Sequence, residues 1–131
     1  MKILVLGNRE EKKDKRAFEV VERLGKMKGV EFEEVGLNQD IPTDRDNLIM
    51  IDTVAGIEKV ELLDENDIDK LVVEPRNSAH DYDVGWQLRY LKKIGKLKRI
   101  KIVGIPMEGK IDYERIQLIL RKLVAQDIQG S

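Results

Sequence analysis

Apolar and polar positions alternate along this chain with two different periods. KILVL (2–6) is a short apolar run that ends at Gly7, as a buried strand does. Beyond the polar stretch NREEKKDKR, Ala17, Val20, Val21 and Leu24 recur at i, i+3, i+4 and i+7. That spacing predicts one face of a helix, with Gly25 and Gly29 bracketing its end. VEFEEVG (30–36) alternates apolar and acidic residues and reads as a half-exposed edge strand. LIMI (48–51) is a second fully apolar run, stopped by Asp52. KVELL (59–63) and KLVV (70–73) are strand candidates on either side of the turn-like DENDID. The loop NSAHDYD then leads into a helix with Val84, Leu88 and Leu91 on one stripe. RIKIVGI (99–105) is a further strand, and Tyr113, Ile116, Ile119, Leu120, Leu123 and Val124 fall at helical spacing in the last segment.

Strands alternating with helices at these lengths predict an α/β layered fold, a mostly parallel twisted sheet flanked by helices. A length of 131 residues fits a single domain, residues 1–131, with one sizeable core. In open sheets of this kind ligands bind beyond the carboxyl ends of the strands. Three polar features are expected there: the segment after KILVL, Asp52 after LIMI, and the NSAH loop after KLVV. Their chemistry-bearing residues are Asp14 (or its neighbours Glu10 and Glu11), Asp52 and His80, the only histidine of the chain.

Composition narrows what such a site can do. The chain has no cysteine, which excludes disulfides, thiolate metal sites, CxxC redox chemistry and a cysteine nucleophile. Lys plus Arg (24) nearly cancels Asp plus Glu (25), so net charge gives no reason to expect nucleic acid or a membrane as partner. The apolar run of MKILVLGN is too short for a signal-peptide core or a bilayer span, and a cytoplasmic location is expected. High Glu and Lys content without cysteine is a tendency of hyperthermophile proteins.

Several familiar devices are excluded by spacing. Ser78, His80 and Asp81 are too close in sequence to form a proton relay, and no GxSxG elbow is present. Gly7-Asn8 offers one glycine where a phosphate loop needs several, and GxxxxGK[ST] is absent. Phe18, Tyr82 and Trp86 are too scattered for a base-stacking platform. Two carboxylates and an imidazole remain. They make an O,O,N donor set suited to a borderline divalent ion such as nickel or zinc, with positions left open. An ion so held polarises a carbonyl and lowers the pKa of a bound water, as amide hydrolysis requires.

Three stretches, in order, resemble the hydrogenase maturation endopeptidases, which trim the C-terminal extension from the large subunit of nickel–iron hydrogenases. KILVLGN followed by an acid is similar to that family's opening strand and Gly-Asn motif. IMIDTVAG is similar to its second motif, an apolar strand ending in Asp and a small-residue turn. SAHDYDVGWQLRYLKKIG is similar to its His-containing loop and following helix, and KIVGIPME to its last strand. The resemblance implies a protease in which Asp14, Asp52 and His80 serve as metal ligands and catalytic residues. It also implies that the nickel arrives with the substrate, a hydrogenase large-subunit precursor, and need not be bound at rest. The chain departs from the family pattern at Lys13, where the first acid of a pair stands, and at Lys15, where a glycine stands.

Two other readings are compatible with the sequence. IMIDTVAG also suits a response-regulator-like receiver domain phosphorylated at Asp52, with Lys110 as its late lysine, although receivers carry an acidic pair where LGNR stands. The altered first motif also fits a related domain that binds a metalloprotein without cutting it.

Overall fold

The structure, a computed structural model, describes residues 1–7, 15–35, 41–42, 47–68, 84–96 and 99–129. Five strands, β1 (Lys2–Val5), β2 (Glu31–Glu34), β3 (Asn47–Val54), β4 (Glu61–Asp64) and β5 (Arg99–Pro106), form one sheet in the order β2-β1-β3-β5-β4. The pairs β1–β2, β1–β3 and β3–β5 are parallel, and β4 runs antiparallel to β5. Three helices are seen among the described residues: α1 (Arg16–Leu24), α2 (Val84–Lys93) and α3 (Tyr113–Gln129). This is the α/β fold with a mostly parallel sheet that the alternation of periods predicts.

Interior strands bury both faces, and the period of two divides their side chains between two cores. Leu4, Leu6, Leu48, Met50, Ile100 and Ile102 face one side, where Leu88 and Leu91 of α2 cover them. Ile3, Val5, Ile51, Val103 and Ile105 face the other, covered by Ala17, Phe18 and Val20 of α1 and by Ile116, Leu120 and Leu123 of α3. The edge strand β2 is half-exposed as expected, with Glu31 and Glu34 exposed at its ends and Phe32 and Glu33 partly covered.

Local turn geometry and a few side-chain contacts join the elements. Gly25 ends α1 at φ 64°, and its N–H donates to the Val21 carbonyl at 3.1 Å. Gly29, at φ +83°, lies where a Cβ would come within 3.1 Å of Val124 Cγ1, so α3 packs directly on this turn. The Arg23 guanidinium lies 4.4 Å from the centre of the Tyr113 ring, joining α1 to α3. Arg115 Nε donates to the Val60 carbonyl at 2.6 Å, tying α3 to the approach to β4.

One sequence expectation changes. Asp52 does not stop the LIMI strand: β3 continues through Asp52 and Thr53 to Val54, because β5 extends equally far and pairs with all eight of its residues. The turn after β4 is as read, with Asp64 N–H donating to Asp67 Oδ2 (3.0 Å) and Asn66 N–H to Asp64 Oδ1 (2.8 Å). The candidate strand KLVV (70–73), however, lies outside the described residues.

Candidate functional site

Parallel strands direct their carboxyl ends to one edge of the sheet, and the described residues at that edge come from four places. β1 leaves it at Gly7, α1 begins there at Arg16, β3 brings Asp52 and Thr53, and β5 exits into residues 107–110. Arg16 Nη2 donates to the Gly109 carbonyl at 2.7 Å, so the start of α1 and the loop after β5 are fastened together.

Asp52 occupies a distinctive register position. The β1–β3 ladder ends at Val5–Ile51, with Leu6 N–H donating to the Ile51 carbonyl at 3.1 Å. Asp52 is the next residue, past the end of β1 on one side yet still paired with Gly104 of β5 on the other. It is 8% exposed. Alternation turns its side chain toward the α2 face, with Met50 and Val54, and away from the α1–α3 face. Gly104 is on that face too, and a Cβ there would stand 3.1 Å from Ile57 Cδ1 and 3.3 Å from Val54 Cγ2. The apolar Ile57 and Val54 thus occupy the space beside Asp52 that a side chain on β5 would fill. A carboxylate so placed stands on a fully paired strand and is shielded on one side from water, properties that suit an anionic oxygen ligand.

Asp14, its alternatives Glu10 and Glu11, and His80 lie outside the described residues. Their described neighbours are informative. Lys15, next to Asp14, is the N-cap of α1. Val84, four residues after His80, opens α2, the helix that covers the face toward which Asp52 turns. Among the described residues no three His, Cys, Asp or Glu side chains gather into a metal site.

Sequence reading missed Arg16 and Thr53. Both carry a buried polar atom, Arg16 Nε and Thr53 Oγ1, with no hydrogen-bond partner among the described residues. Thr53, 9% exposed, turns toward the α1–α3 face, next to Asp52 in the chain but on the opposite side of the sheet. A hydroxyl inside an apolar strand was the available signal for Thr53. Arg16 had none, since it closes a run of charges and its partner is 93 residues away.

No protein-family model matches this chain, and no curated protein matches it in sequence. Among solved structures, the hydrogenase maturating endopeptidase HybD from E. coli matches 99% of this chain and 91% of its own, at 19% identity and a TM-score of 0.52. The chain has the fold of a hydrogenase maturation endopeptidase. An endopeptidase from Escherichia coli solved in solution aligns over 96% of this chain and 89% of its own, at 19% identity and a TM-score of 0.47. A hydrogenase 2 maturation peptidase from a Thaumarchaeota archaeon aligns over 99% and 97%, at 20% identity and a TM-score of 0.39. The last two scores add nothing to the first. The HybD-like fold also separates this sheet from a receiver domain, whose parallel strands run in the order 2-1-3-4-5. Here β5 lies inside β4, and β4 is antiparallel. No helix among the described residues is long and apolar enough to cross a membrane.

Proposed function

We propose that this protein is a cytoplasmic endopeptidase that removes the C-terminal extension of a nickel–iron hydrogenase large-subunit precursor. The observation that carries the reading is Asp52. On a HybD-like fold, a nearly buried carboxylate stands one residue past the end of β1, at the carboxyl edge of the sheet. Ligands of such sheets bind at this edge. Asp14 and His80 complete the donor set, and together with Asp52 they engage the nickel that the precursor brings.

The nickel of the substrate supplies Lewis acidity, polarising the scissile carbonyl or lowering the pKa of a water. The chain's own contribution is placement. The β5 ladder holds the main chain at Asp52 and burial restricts its side chain, so less of it has to be ordered when the precursor arrives. His80 acts in its neutral form, because only a ring nitrogen without a proton can donate its lone pair. Water adds to the carbonyl carbon and the C–N bond breaks. A new carboxyl terminus stays on the large subunit, and a free amine leaves on the released peptide.

The test is direct. Nickel-loaded precursor is incubated with the protein, and the released C-terminal peptide is sought by mass spectrometry. Release by the wild type, with loss in Asp52→Ala and His80→Ala, supports the proposal. Full cleavage by His80→Ala removes the imidazole from the mechanism. Tight binding of the precursor without any cleavage favours the metalloprotein-binding alternative, to which the lysines at positions 13 and 15 of the first motif point.

A further inference from the structure

Asp52 stands at the carboxyl edge on a strand paired along its whole length with β5. The chain on the other side of that edge is held differently. Leu6 N–H still donates to the Ile51 carbonyl, and the next described residue after Gly7 is Lys15, the N-cap of α1. Lys15 makes no side-chain cap bond, and its ammonium lies 3.8 Å from Glu19, one turn along the same helix. Arg16 instead reaches out of its own helix, with Nη2 donating to the Gly109 carbonyl at 2.7 Å. In the sheet β3 lies between β1 and β5. The bond therefore links the segment that follows β1 to the loop that follows β5, from the two sides of the end of β3.

This link is charge-assisted and directional, whereas the apolar packing of Ala17 and Phe18 under α1 is not. Its acceptor is well set. The β5 loop starts from Pro106, still paired with Val54, and ends at Asp112. There Asp112 Oδ1 accepts from the Arg115 N–H at 3.1 Å and the Asp112 carbonyl from the Ile116 N–H at 3.2 Å. Gly109 turns the chain between these anchors at φ +89°, a conformation that favours glycine. Arg16 also carries a cost. Its Nε is buried with no partner among the described residues, and a buried donor left unpaired is destabilising. Stability alone favours a plainer side chain here, and such departures from local stability belong to sites that need them.

We infer that Arg16 is a positioning residue for cleavage: it fastens the segment that carries the first acid to the β5 loop, and so sets the spacing between that acid and Asp52. The inference rests on the reading of this protein as a maturation endopeptidase. Asp14 lies outside the described residues, but two peptide units hold its Cα within about 7 Å of that of Arg16. A clamp on Arg16 thus limits how far Asp14 strays. Donors that share one metal ion have to converge to within about 0.5 Å. A misplacement of about 1 Å can cost roughly a hundredfold in rate. Arg16 touches neither metal nor substrate in this role and acts through the chain.

Arg16→Met and Arg16→Lys test the inference in the full chain with nickel-loaded precursor. Methionine keeps the length of the side chain and removes the donor, while lysine keeps one donor for Gly109. In the Met variant kcat is expected to fall about tenfold or more at unchanged KM, and lysine should recover most of the loss. The Lys110 amide shares its peptide unit with the Gly109 carbonyl, so its shift in labelled protein should move with methionine and return with lysine. The Met variant should melt close to the wild type, because losing the strap is offset by losing the orphan donor. Wild-type kcat in the Met variant overturns the inference and leaves the cleavage reading standing. A rise in KM alone, equal losses in both variants, or a rate loss matched by unfolding at the assay temperature also overturns it. No cleavage by the wild type sinks the reading of the site, and this role with it.

Discussion

Replacing Thr53 with valine should make the protein more stable. The hydroxyl is buried on the α1–α3 side of β3, and Oγ1 has no hydrogen-bond partner among the described residues. A buried polar group left unpaired costs about 1–3 kcal/mol. Valine keeps the branched shape, suits a strand, and adds apolar contact worth about 0.8 kcal/mol per methyl-sized group. Against these gains stands the strain of fitting a slightly larger group, so a net stabilisation of roughly 1–2 kcal/mol is expected. Unfolding entropy near ~2.1 cal/mol/K per residue amounts to roughly 0.28 kcal/mol/K for 131 residues. The melting temperature should therefore rise by about 4–7 °C. Differential scanning calorimetry of wild type, Thr53→Val and Thr53→Ser provides the measurement, with serine keeping the hydroxyl and losing the methyl. Serine is expected to melt below the wild type. A valine variant that also melts lower would refute the reasoning, because it would mean that the hydroxyl is satisfied in the folded protein.

Asp52→Asn keeps the shape of the side chain and removes its charge, so cleavage of nickel-loaded precursor should fall by a factor of at least about a hundred while the fold survives; mass spectrometry and circular dichroism report the two separately. Gly104→Ala places a methyl 3.1 Å from Ile57 Cδ1, 3.3 Å from Val54 Cγ2 and 3.4 Å from the Glu61 carbonyl, and overpacking there should cost about 1–3 kcal/mol in urea unfolding. Glu65 has a carboxyl held below its ordinary range by its own backbone N–H and that of Ile100, aided by Arg99 and Lys101. Since its folded pKa is depressed, its stabilisation is present above the ordinary carboxylate value and is lost as pH falls through the folded one. The stability difference between wild type and Glu65→Gln should therefore be constant near neutrality and shrink in acid, and a difference that grew in acid would reverse the assignment.

Much of this architecture was legible because the sheet is buried on both faces. KILVL, LIMI and RIKIVGI belong to interior strands, so the first two are largely apolar and the third becomes so after Lys101, and the stripes of α1 and α3 have period enough to define a face. The edge strand β2 was equally plain from its acidic alternation. What could not be read was pairing at a distance. Asp52 looked like a strand end because polarity changes there, yet Gly104, far along the chain, prolongs the ladder past it. The antiparallel direction of β4 likewise depends on its register with β5. At the candidate site, Asp52 was recognisable as a carboxylate closing an apolar run. The strap from Arg16 to Gly109 was not, because a donor in a charged run says nothing about which carbonyl it will meet.

The strand order has a consequence for the birth of the molecule. In β2-β1-β3-β5-β4 the last strand to be synthesised is an interior one, wedged between two made before it. Asp52 meets its partner Gly104 only after fifty-odd further residues have been translated, several seconds at ~5–20 residues per second. Until then β3 and β4 both lack the strand that joins them, and Asp52 is an ordinary carboxylate on an unfinished chain. A ribosome-bound fragment that stops short of β5 should thus lack the finished sheet, and the fold would come into being late and all at once.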